Sequence, residues 1–255
     1  MESQTLLGIQ IQKQSKTEIL EKIKKNIDSP HGFFHIVSLN PEIMVTSESD
    51  REFKKTLSES SIRLIDGVGI LLGCSILGIP VGERTPGVDM MDDILQTLPQ
   101  RGLQVLFLGG KANLAEKLAE CYQKDLPYYK FKGLRGFKDI LAPERAEQDT
   151  IWKEIKEFSP DIIFSAFGSP AQELFFYRHR ALLPKAVCMG VGGGFDFAYH
   201  NVPRAPGWLR VIGLEWLFRL AIQPWRLRRQ LRLFTFIYLV FKQKLRGYHL
   251  DNGII

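Results

Sequence analysis

The sequence predicts an α/β fold: a Rossmann-like parallel sheet with helices on both faces, followed by a helical C-terminal appendage. Two observations support this prediction. Short apolar runs alternate with amphipathic segments through most of the chain, the order expected of parallel strands and their crossover helices. Several of these runs end in Gly, Asn, Asp or Ser, which are typical turn residues. At 255 residues with 45% hydrophobic content, the chain can bury a full core.

Six apolar runs are predicted to be strands of this sheet. They are Phe33 to Val37, Ile62 to Ile65, Val105 to Leu108, Tyr129 to Leu134, Asp161 to Phe167 and Ala186 to Val191. Four segments between them carry apolar residues three and four positions apart, the spacing of a helix that packs one face on a core. These predicted helices are Lys54 to Ser60, Val88 to Leu98, Leu114 to Asp125 and Ala142 to Phe158.

A change in composition after Phe195 predicts a boundary near Asn201. Proline and glycine interrupt the chain there, and two helix-like segments follow. The net charge of +6 is concentrated in this last part, because ten basic and two acidic residues from Arg204 onward give +8 and leave −2 for the rest. We therefore predict a Rossmann-like domain, residues 1–200, and a basic, aromatic appendage, residues 201–255, that meets phosphates, acidic lipid head groups or both. Nucleic acid, the competing anionic partner, is not expected.

The apolar run Leu233 to Phe241 lies inside a predicted helix, Trp225 to Gly247. Arginines precede the run, and Lys242, Lys244 and Arg246 follow it. The run is too short to cross a bilayer, which needs about 20 apolar residues. A basic amphipathic helix lying in the lipid interface fits this pattern. The alternative is a helix that packs on the core of the body and leaves its basic face in solvent.

The absence of several simple motifs argues against some classes of protein. The three cysteines, Cys74, Cys121 and Cys188, are widely spaced without a CxxC pair, which predicts reduced, buried thiols in a cytosol rather than zinc ligands or disulfides. The first residues lack the charged head and long apolar run of a secretory signal. No GxGxxG fingerprint occurs, which argues against a nicotinamide-dependent oxidoreductase.

Glycine and small polar residues follow the predicted strands at five places. They are Ser38-Leu39-Asn40, Asp66-Gly67, Gly109-Gly110, Gly168-Ser169 and Gly190 to Gly194. Open α/β sheets bind ligands beyond the carboxyl ends of their strands. Glycine lets a ligand approach the backbone there, and a following helix N-terminus offers N–H groups to a phosphate. Each place taken alone fits a tight turn, but the five together predict a ligand site at this edge of the sheet.

Several longer motifs make the chain similar to one known family. In chain order they are Val37-Ser38-Leu39-Asn40-Pro41, Ile65-Asp66-Gly67-Val68-Gly69, Glu83-Arg84-Thr85-Pro86-Gly87-Val88-Asp89, Leu108-Gly109-Gly110, Phe167-Gly168-Ser169-Pro170-Ala171-Gln172-Glu173, Gly190-Val191-Gly192-Gly193 with Phe195-Asp196-Phe197, Arg204-Ala205-Pro206, and Gly213-Leu214-Glu215-Trp216-Leu217-Phe218-Arg219. In this order they resemble the WecG/TagA/CpsF glycosyltransferases (glycosyltransferase family 26). The resemblance runs from the N-terminal strand to about Leu231.

The resemblance implies an inverting transfer of a sugar, N-acetylmannosamine or a related hexose, from a UDP donor. The implied acceptor is N-acetylglucosamine on a polyprenyl diphosphate carrier, in the synthesis of a cell-surface polysaccharide. Expected partners are therefore the UDP-sugar, the lipid-linked glycan and an anionic membrane surface. The protein is expected to lie peripherally on the cytoplasmic, inner face of that membrane, and association into a homo-oligomer is left open. No cofactor is expected.

Asp66 is the predicted general base. It follows an apolar strand at the ligand-binding edge of the sheet. A carboxylate there can take the proton of the acceptor hydroxyl while the oxygen attacks the anomeric carbon. From the residues alone, an N-cap or turn aspartate before Gly67 is the alternative. The alignment of Asp66 with the catalytic aspartate of the family favours the catalytic role.

The departing UDP gains negative charge, which a metal ion or fixed cations must offset. The chain contains no Asp-x-Asp triplet, so we predict no metal site and assign this task to arginines and helix N-termini. By resemblance, Arg219, Arg226 and Arg229 close over the diphosphate and Gln172 contacts the donor. The remaining expected substrate-binding residues are Ser38, Asn40, Arg84, Gly109, Gly110, Gly168 and Gly192. For Ser38 and Asn40, capping of a helix that begins at Pro41 is the alternative.

The sequence departs from the family pattern at three places. Ala171 stands where lysine is usual, Ser38 where threonine is frequent, and Tyr199-His200-Asn201 where a small, glycine-containing turn is found. These departures bear on the donor sugar more than on the reaction. The alternative function is a non-catalytic nucleotide- or phospholipid-binding module that attaches peripherally to membranes.

Overall fold

The computed structural model describes residues 4–199, 201–211, 213–224, 227 and 231–251. An N-terminal hairpin precedes a six-stranded sheet in which every pairing is parallel. The hairpin consists of β1 (Thr5–Leu6) and β2 (Ile9–Gln10), and the sheet of β3 (Phe34–Leu39), β4 (Ile62–Ile65), β5 (Gln104–Gly109), β6 (Lys130–Leu134), β7 (Ile162–Ala166) and β8 (Val187–Gly190). All six predicted strands are confirmed, and their ends shift by one or two residues where they differ.

Helices cover both faces of this sheet. They are α1 (Lys16–Asp28), α2 (Pro41–Ser49), α3 (Arg51–Ser58), α4 (Val68–Leu77), α5 (Gly87–Thr97), α6 (Leu114–Asp125), α7 (Arg145–Phe158), α8 (Ala171–Arg178), α9 (Gly194–Ala198), α10 (Gly207–Val211), α11 (Glu215–Ile222) and α12 (Arg232–Asp251). The four predicted helices correspond to α3, α5, α6 and α7. The predicted α/β, Rossmann-like fold class is confirmed.

The order of strands across the sheet is β4-β3-β8-β7-β5-β6. The chain begins the sheet at β3 and adds β4 outside it. It then crosses to β5 and β6 at the far edge and fills the gap with β7 and β8. The chain therefore places β4 on one side of β3 and all later strands on the other side, so the strand order reverses between the neighbours β3 and β8. Open α/β sheets bind ligands at such a switch point, beyond the carboxyl ends of the strands.

Neighbouring residues of each strand point to opposite faces of the sheet, and both faces are buried. Ile36 and Phe107 belong to the core beneath α1, α5 and α6. Val37 faces the other way, into a core formed with the hairpin and α2, α3 and α4. Leu106 and Ile163 pack beneath α7 and α8 on that same side. Burial on both faces explains why the strands read as continuous apolar runs.

The last helix, α12, packs its inner face on the body of the protein. Phe236 and Val240 are fully buried in the same core as the hairpin and α4. The Gln243 amide joins this helix to the hairpin backbone, since its oxygen accepts from the Leu7 N–H (2.8 Å) and its nitrogen donates to the Thr5 carbonyl (2.7 Å). None of the described helices is long and apolar enough to cross a membrane.

The three cysteines are free thiols. Cys74 and Cys188 are buried, as predicted, whereas Cys121 is exposed. The expectation of a buried thiol is wrong for Cys121, because α6 buries Leu114, Ala115, Leu118 and Ala119 in its first two turns and Cys121 lies beyond this buried set in the following turn.

Candidate active site

A pocket of about 420 Å³ lies beyond the carboxyl ends of β3 and β4. The loops after these strands, the segment before α5, and helices α4, α11 and α12 form its walls. The lining residues are Asn40, Pro41, Glu42, Asp66, Gly67, Val68, Gly69, Leu72, Arg84, Pro86, Gly213, Glu215, Trp216, Arg219 and Leu233. Four predicted site residues therefore share one pocket: Asn40, Asp66, Arg84 and Arg219.

Asp66 is held in place by the backbone around it. Its N–H donates to the Leu39 carbonyl at the end of the neighbouring strand (3.0 Å). Its carboxylate accepts a hydrogen bond from the N–H of Gly87, at the first position of α5. A helix N-terminus carries partial positive charge and unpaired N–H groups, so it favours an anion at this point. The carboxylate is thus anchored on one side and faces the pocket on the other.

Burial raises the pKa of Asp66 from its ordinary value to about 6. The negative charge of Glu215 adds to this rise, while Arg219, the Gly87 N–H and Arg84 act against it. Loss of water around the carboxylate is the largest of these effects. A carboxylate whose pKa lies near 6 is a stronger base than an ordinary aspartate and is still mostly ionised at neutral pH.

Arg84 is positioned by backbone contacts on two sides. Thr85 donates its N–H to the Ile65 carbonyl (2.8 Å), which fixes this segment beside the end of β4. The Arg84 Nη2 donates to the Arg210 carbonyl (2.6 Å) on α10. Arg84 therefore connects the sheet edge with the C-terminal helices and presents its charge to the pocket.

Arg219 extends from α11 across the mouth of the pocket towards the loop after β8. Its guanidinium lies 4.1 Å from the centre of the Phe197 ring. A β-carbon placed on Gly193 would lie 3.8 Å from Arg219 Nη2. The position of α11 itself is supported by Arg204, which pairs with Asp89 on α5 (2.6 Å) and approaches Glu215 (3.8 Å). The Arg219 side chain thus lines the Asp66 pocket and also lies beside the loop after β8.

Asn40 and Ser38 lie close together at the end of β3 but make different contacts. Asn40 caps α2, because its Oδ1 accepts from the Ile43 N–H (3.1 Å), and it also lines the pocket. Ser38 lies within β3 and is 8% exposed, so it does not cap the helix. A β-carbon placed on Gly87 would lie 2.6 Å from Ser38 Oγ. Ser38 therefore lies next to Gly87, the residue whose N–H binds the Asp66 carboxylate.

The predicted glycines lie at the ends of β5, β7 and β8, beside the pocket rather than in its lining. Gly109 and Gly110 leave room for aromatic rings, since β-carbons there would press on Phe167 and Phe195 respectively. Gly168 has a φ of +82°, and no described residue other than its chain neighbours lies within 4 Å of its Cβ position. Gly192 and Gly168 both border the buried side chain of Gln172, whose Oε1 accepts from their N–H groups.

Some pocket residues had no functional assignment from the sequence. Glu215 and Trp216 belong to one of the family-like motifs, Leu233 begins the apolar run that is assigned to a lipid-interface or core helix, and Leu72 carries no signal. Arg226, Arg229 and His200 lie outside the described residues. Within the described ranges, no group of three or more His, Cys, Asp or Glu side chains is placed to hold a metal ion.

The fold is thus that of an α/β protein in which one partly buried carboxylate and two guanidinium groups line a pocket at the switch point of the sheet. The model of the glycosyl transferase WecG/TagA/CpsF family matches residues 4–250, and the chain belongs to this family.

Three relatives support this assignment over nearly full length. An N-acetylglucosaminyldiphosphoundecaprenol N-acetyl-beta-D-mannosaminyltransferase of Bacillus subtilis (strain 168) is 30% identical over 96% of this chain and 93% of its own. The enzyme of the same description from Bacillus spizizenii is 31% identical over 86% of this chain and 82% of its own. The enzyme of the same description from Staphylococcus aureus (strain NCTC 8325 / PS 47) is 29% identical over 94% of this chain and 92% of its own.

Proposed function

We propose that this glycosyltransferase moves N-acetylmannosamine or a related hexose from a UDP donor to N-acetylglucosamine on a polyprenyl diphosphate carrier. The activity for which the three relatives are named supports the acceptor and the sugar. The observation that carries the proposal is that Asp66, Arg84 and Arg219 line one pocket at the switch point of the sheet. Transfer from a nucleotide diphosphate needs a base for the acceptor proton and positive charge for the departing diphosphate, and these three side chains can supply both.

In the proposed reaction, Asp66 takes the proton from the attacking hydroxyl of the acceptor. The acceptor oxygen then bonds to the anomeric carbon of the donor, and the bond from that carbon to the diphosphate oxygen breaks on the opposite face. The electron pair of the broken bond leaves with UDP. Attack opposite the leaving group inverts the configuration at the anomeric carbon. The raised pKa of Asp66 suits this proton transfer.

Arginine side chains offset the charge of the departing UDP in this proposal. Arg219 is the best-placed group, because it lies at the Asp66 pocket and beside Gly193 in the β8 loop at once. The Phe197 ring beneath its guanidinium fixes the position of the cation before the donor binds. Arg84 adds a second cation from the other side of the pocket. With fixed cations in these positions, we propose that the transfer needs no divalent metal.

The outer face of α12 is proposed to contact an anionic membrane, on the inner side of the cell membrane where UDP-sugars are made. Phe234, Tyr238, Phe241 and Leu245 are 72%, 64%, 49% and 60% exposed. Lys242 and Lys244 are exposed beside them. Aromatic and aliphatic side chains can enter the lipid interface there, while each basic residue adds about 1 kcal/mol of attraction to an anionic surface.

Product analysis tests the proposed reaction. Purified protein is incubated with each member of a panel of UDP-sugars and a synthetic N-acetylglucosaminyl diphosphoryl lipid, and the products are measured by mass spectrometry. We expect one sugar to be added from UDP-N-acetylmannosamine or a close relative, and NMR to show inversion at its anomeric carbon. Absence of turnover with every donor would leave a binding module, and a retained anomeric configuration would exclude single-step attack.

A further inference from the structure

Two buried polar side chains lie side by side at the beginning of α8. Gln172 is 4% exposed and Glu173 is 1% exposed. The Gln172 Oε1 accepts from the N–H of Gly168 (3.2 Å) and from the N–H of Gly192 (3.0 Å). Its Nε2 donates to Glu173 Oε1 (2.8 Å). One amide therefore connects the loop after β7, the loop after β8 and a buried carboxyl group.

The end of β8 is shaped to receive this amide. A β-carbon placed on Gly190 would overlap the Gln172 side chain and lie 2.6 Å from its Cδ. The backbone of Gly190 does not adopt a positive φ, so conformation alone does not require glycine there. The absence of a side chain at Gly190 is instead explained by the space that Gln172 occupies.

The two loops joined by Gln172 are open to a ligand. Apart from chain neighbours, no atom of the described residues lies within 4 Å of the Cβ position of Gly168, and at Gly192 only Gln172 Oε1 does, at 3.9 Å. The next residue, Gly193, lies beside Arg219. The distance between the Gly168 and Gly192 loops thus determines how far their backbone N–H groups lie from the Arg219 guanidinium at the Asp66 pocket.

Glu173 is not itself placed to act on the substrate. It is almost completely buried and does not line the Asp66 pocket. Burial raises the pKa of its carboxyl group. Its Oε1 holds the nitrogen end of the Gln172 amide, so the oxygen end must face the two glycine N–H groups. In the opposite orientation, nitrogen would face two N–H donors, and three hydrogen bonds would be lost.

We propose that Glu173 is a positioning residue for the donor: it fixes the Gln172 amide, which in turn sets the spacing of the Gly168 and Gly192 loops that hold the nucleotide diphosphate. This inference rests on the proposed function, in which the donor is UDP-linked. It assigns the effect of Glu173 to donor affinity rather than to the chemical step. The carboxyl group acts only as a hydrogen-bond acceptor, and its charge is not required.

Three substitutions separate this role from a general contribution to folding. Glu173→Gln retains an oxygen that can accept from Gln172. Glu173→Asp keeps the carboxyl group but withdraws it by one carbon, and Glu173→Met keeps the length but removes the acceptor. Ser165→Ala is the matched control, because its buried hydroxyl on β7 has no hydrogen-bond partner among the described residues.

UDP affinity is measured by calorimetry, donor and acceptor KM and kcat by steady-state kinetics, and Tm by thermal melting. For the Asp and Met variants we expect about a fivefold rise in the Kd of UDP and in donor KM, the effect of losing one ordinary hydrogen bond. Acceptor KM and kcat at saturating donor should change less than twofold. The Gln variant and Ser165→Ala should match the wild type.

Several results would overturn the proposal. UDP affinity within twofold of wild type in both the Asp and Met variants would do so, as would an equal loss in the Gln variant. Donor and acceptor KM rising together with a lower Tm would indicate a purely structural residue. If the Met variant does not fold, the Asp and Gln variants give the same comparison. Wild-type protein that binds no UDP would remove the proposed function and this inference with it.

Discussion

The guanidinium of Arg219 lies 4.1 Å from the centre of the Phe197 ring, with Phe197 on the short helix that follows β8. A cation held over an aromatic face loses little further freedom when an anion binds, which suits the proposed contact of Arg219 with the diphosphate. This contact joins the C-terminal helices to the sheet edge. In the proposed function, this contact lets the appendage take part in the transfer as well as in membrane association.

Arg219→Ala is expected to lower kcat about 10²-fold, because one fixed donor to the developing charge is lost. Arg219→Lys should recover only part of the rate, since lysine cannot reproduce the planar contact with Phe197. Steady-state kinetics with a soluble acceptor analogue measure both. Arg178→Ala, an exposed arginine paired with Glu52 (2.5 Å), is the matched control and should keep the wild-type rate. Equal rates for Arg219→Ala and the control would show that Arg219 takes no part in the transfer reaction.

Asp66→Asn is expected to lower transfer about 10²- to 10⁴-fold while UDP binding survives, because only the base is removed. For the wild type, kcat/KM should rise with pH up to about 6 and level off above it, because the carboxyl group must be ionised to accept a proton. Kinetics from pH 5 to 8 test this. Near-normal turnover by Asp66→Asn would place the base elsewhere.

Thermal melting provides the control for this variant. The pKa of Asp66 is raised on folding, so its contribution to stability is present below the ordinary value and is lost as the pH rises through about 6. At pH 8 the ionised carboxylate therefore destabilises the folded state, and Asp66→Asn should melt at a higher temperature than the wild type. A lower Tm would attribute the loss of activity to unfolding.

Activity is expected to persist in EDTA. Arg84 and Arg219 supply fixed positive charge at the pocket, so removal of divalent ions should leave the initial rate within about twofold. The measurement compares rates in chelator with rates after addition of magnesium or manganese. Loss of activity in EDTA and recovery with either ion would overturn leaving-group stabilisation by arginines.

The outer face of α12 is expected to bind anionic vesicles. Phe234→Ser, Tyr238→Ser and Phe241→Ser together should reduce sedimentation with such vesicles at least tenfold, since apolar insertion is lost, while the soluble-acceptor rate persists. Leu141→Ser with Leu182→Ser, exposed residues elsewhere on the surface (78% and 65%), is the control. Point substitutions are required because truncation before Leu233 would also remove the core residue Phe236. Unchanged sedimentation would leave α12 as a structural helix only.

His35 is expected to limit stability in acid. It is fully buried, neither ring nitrogen has a hydrogen-bond partner among the described residues, and burial lowers its pKa to about 3. Its contribution to stability is present above the ordinary value of 6.5 and is lost as the pH falls towards 3. His35→Leu should therefore reduce the fall in Tm between pH 7 and 4.5. His31→Leu, an exposed histidine, should not, and equal falls in all three proteins would contradict this account.

Several helices are not predicted from the sequence, among them α8 and α9, and the reasons differ for α4 and α1. α4 is apolar around most of its circumference, so it lacks the one-sided pattern that marks a surface helix; it is buried against β4, the hairpin and α12. α1 carries a detectable signal, a capping box in which Ser15 and Glu18 each bond the backbone of the other. This Ser-x-x-Glu pattern is visible in the sequence and is typical of a helix start.

The sequence by itself determined the α/β fold, the family, the basic tail and the position of Asp66 after its strand, because these follow from local patterns and from the order of motifs. Only the tertiary structure decided that α12 buries Phe236, that Gln172 bonds Gly168 and Gly192, and that the pKa of Asp66 is raised. Each of these depends on burial or contact between distant segments. Their free energies arise from removed water and from specific partners, which local residue order does not encode.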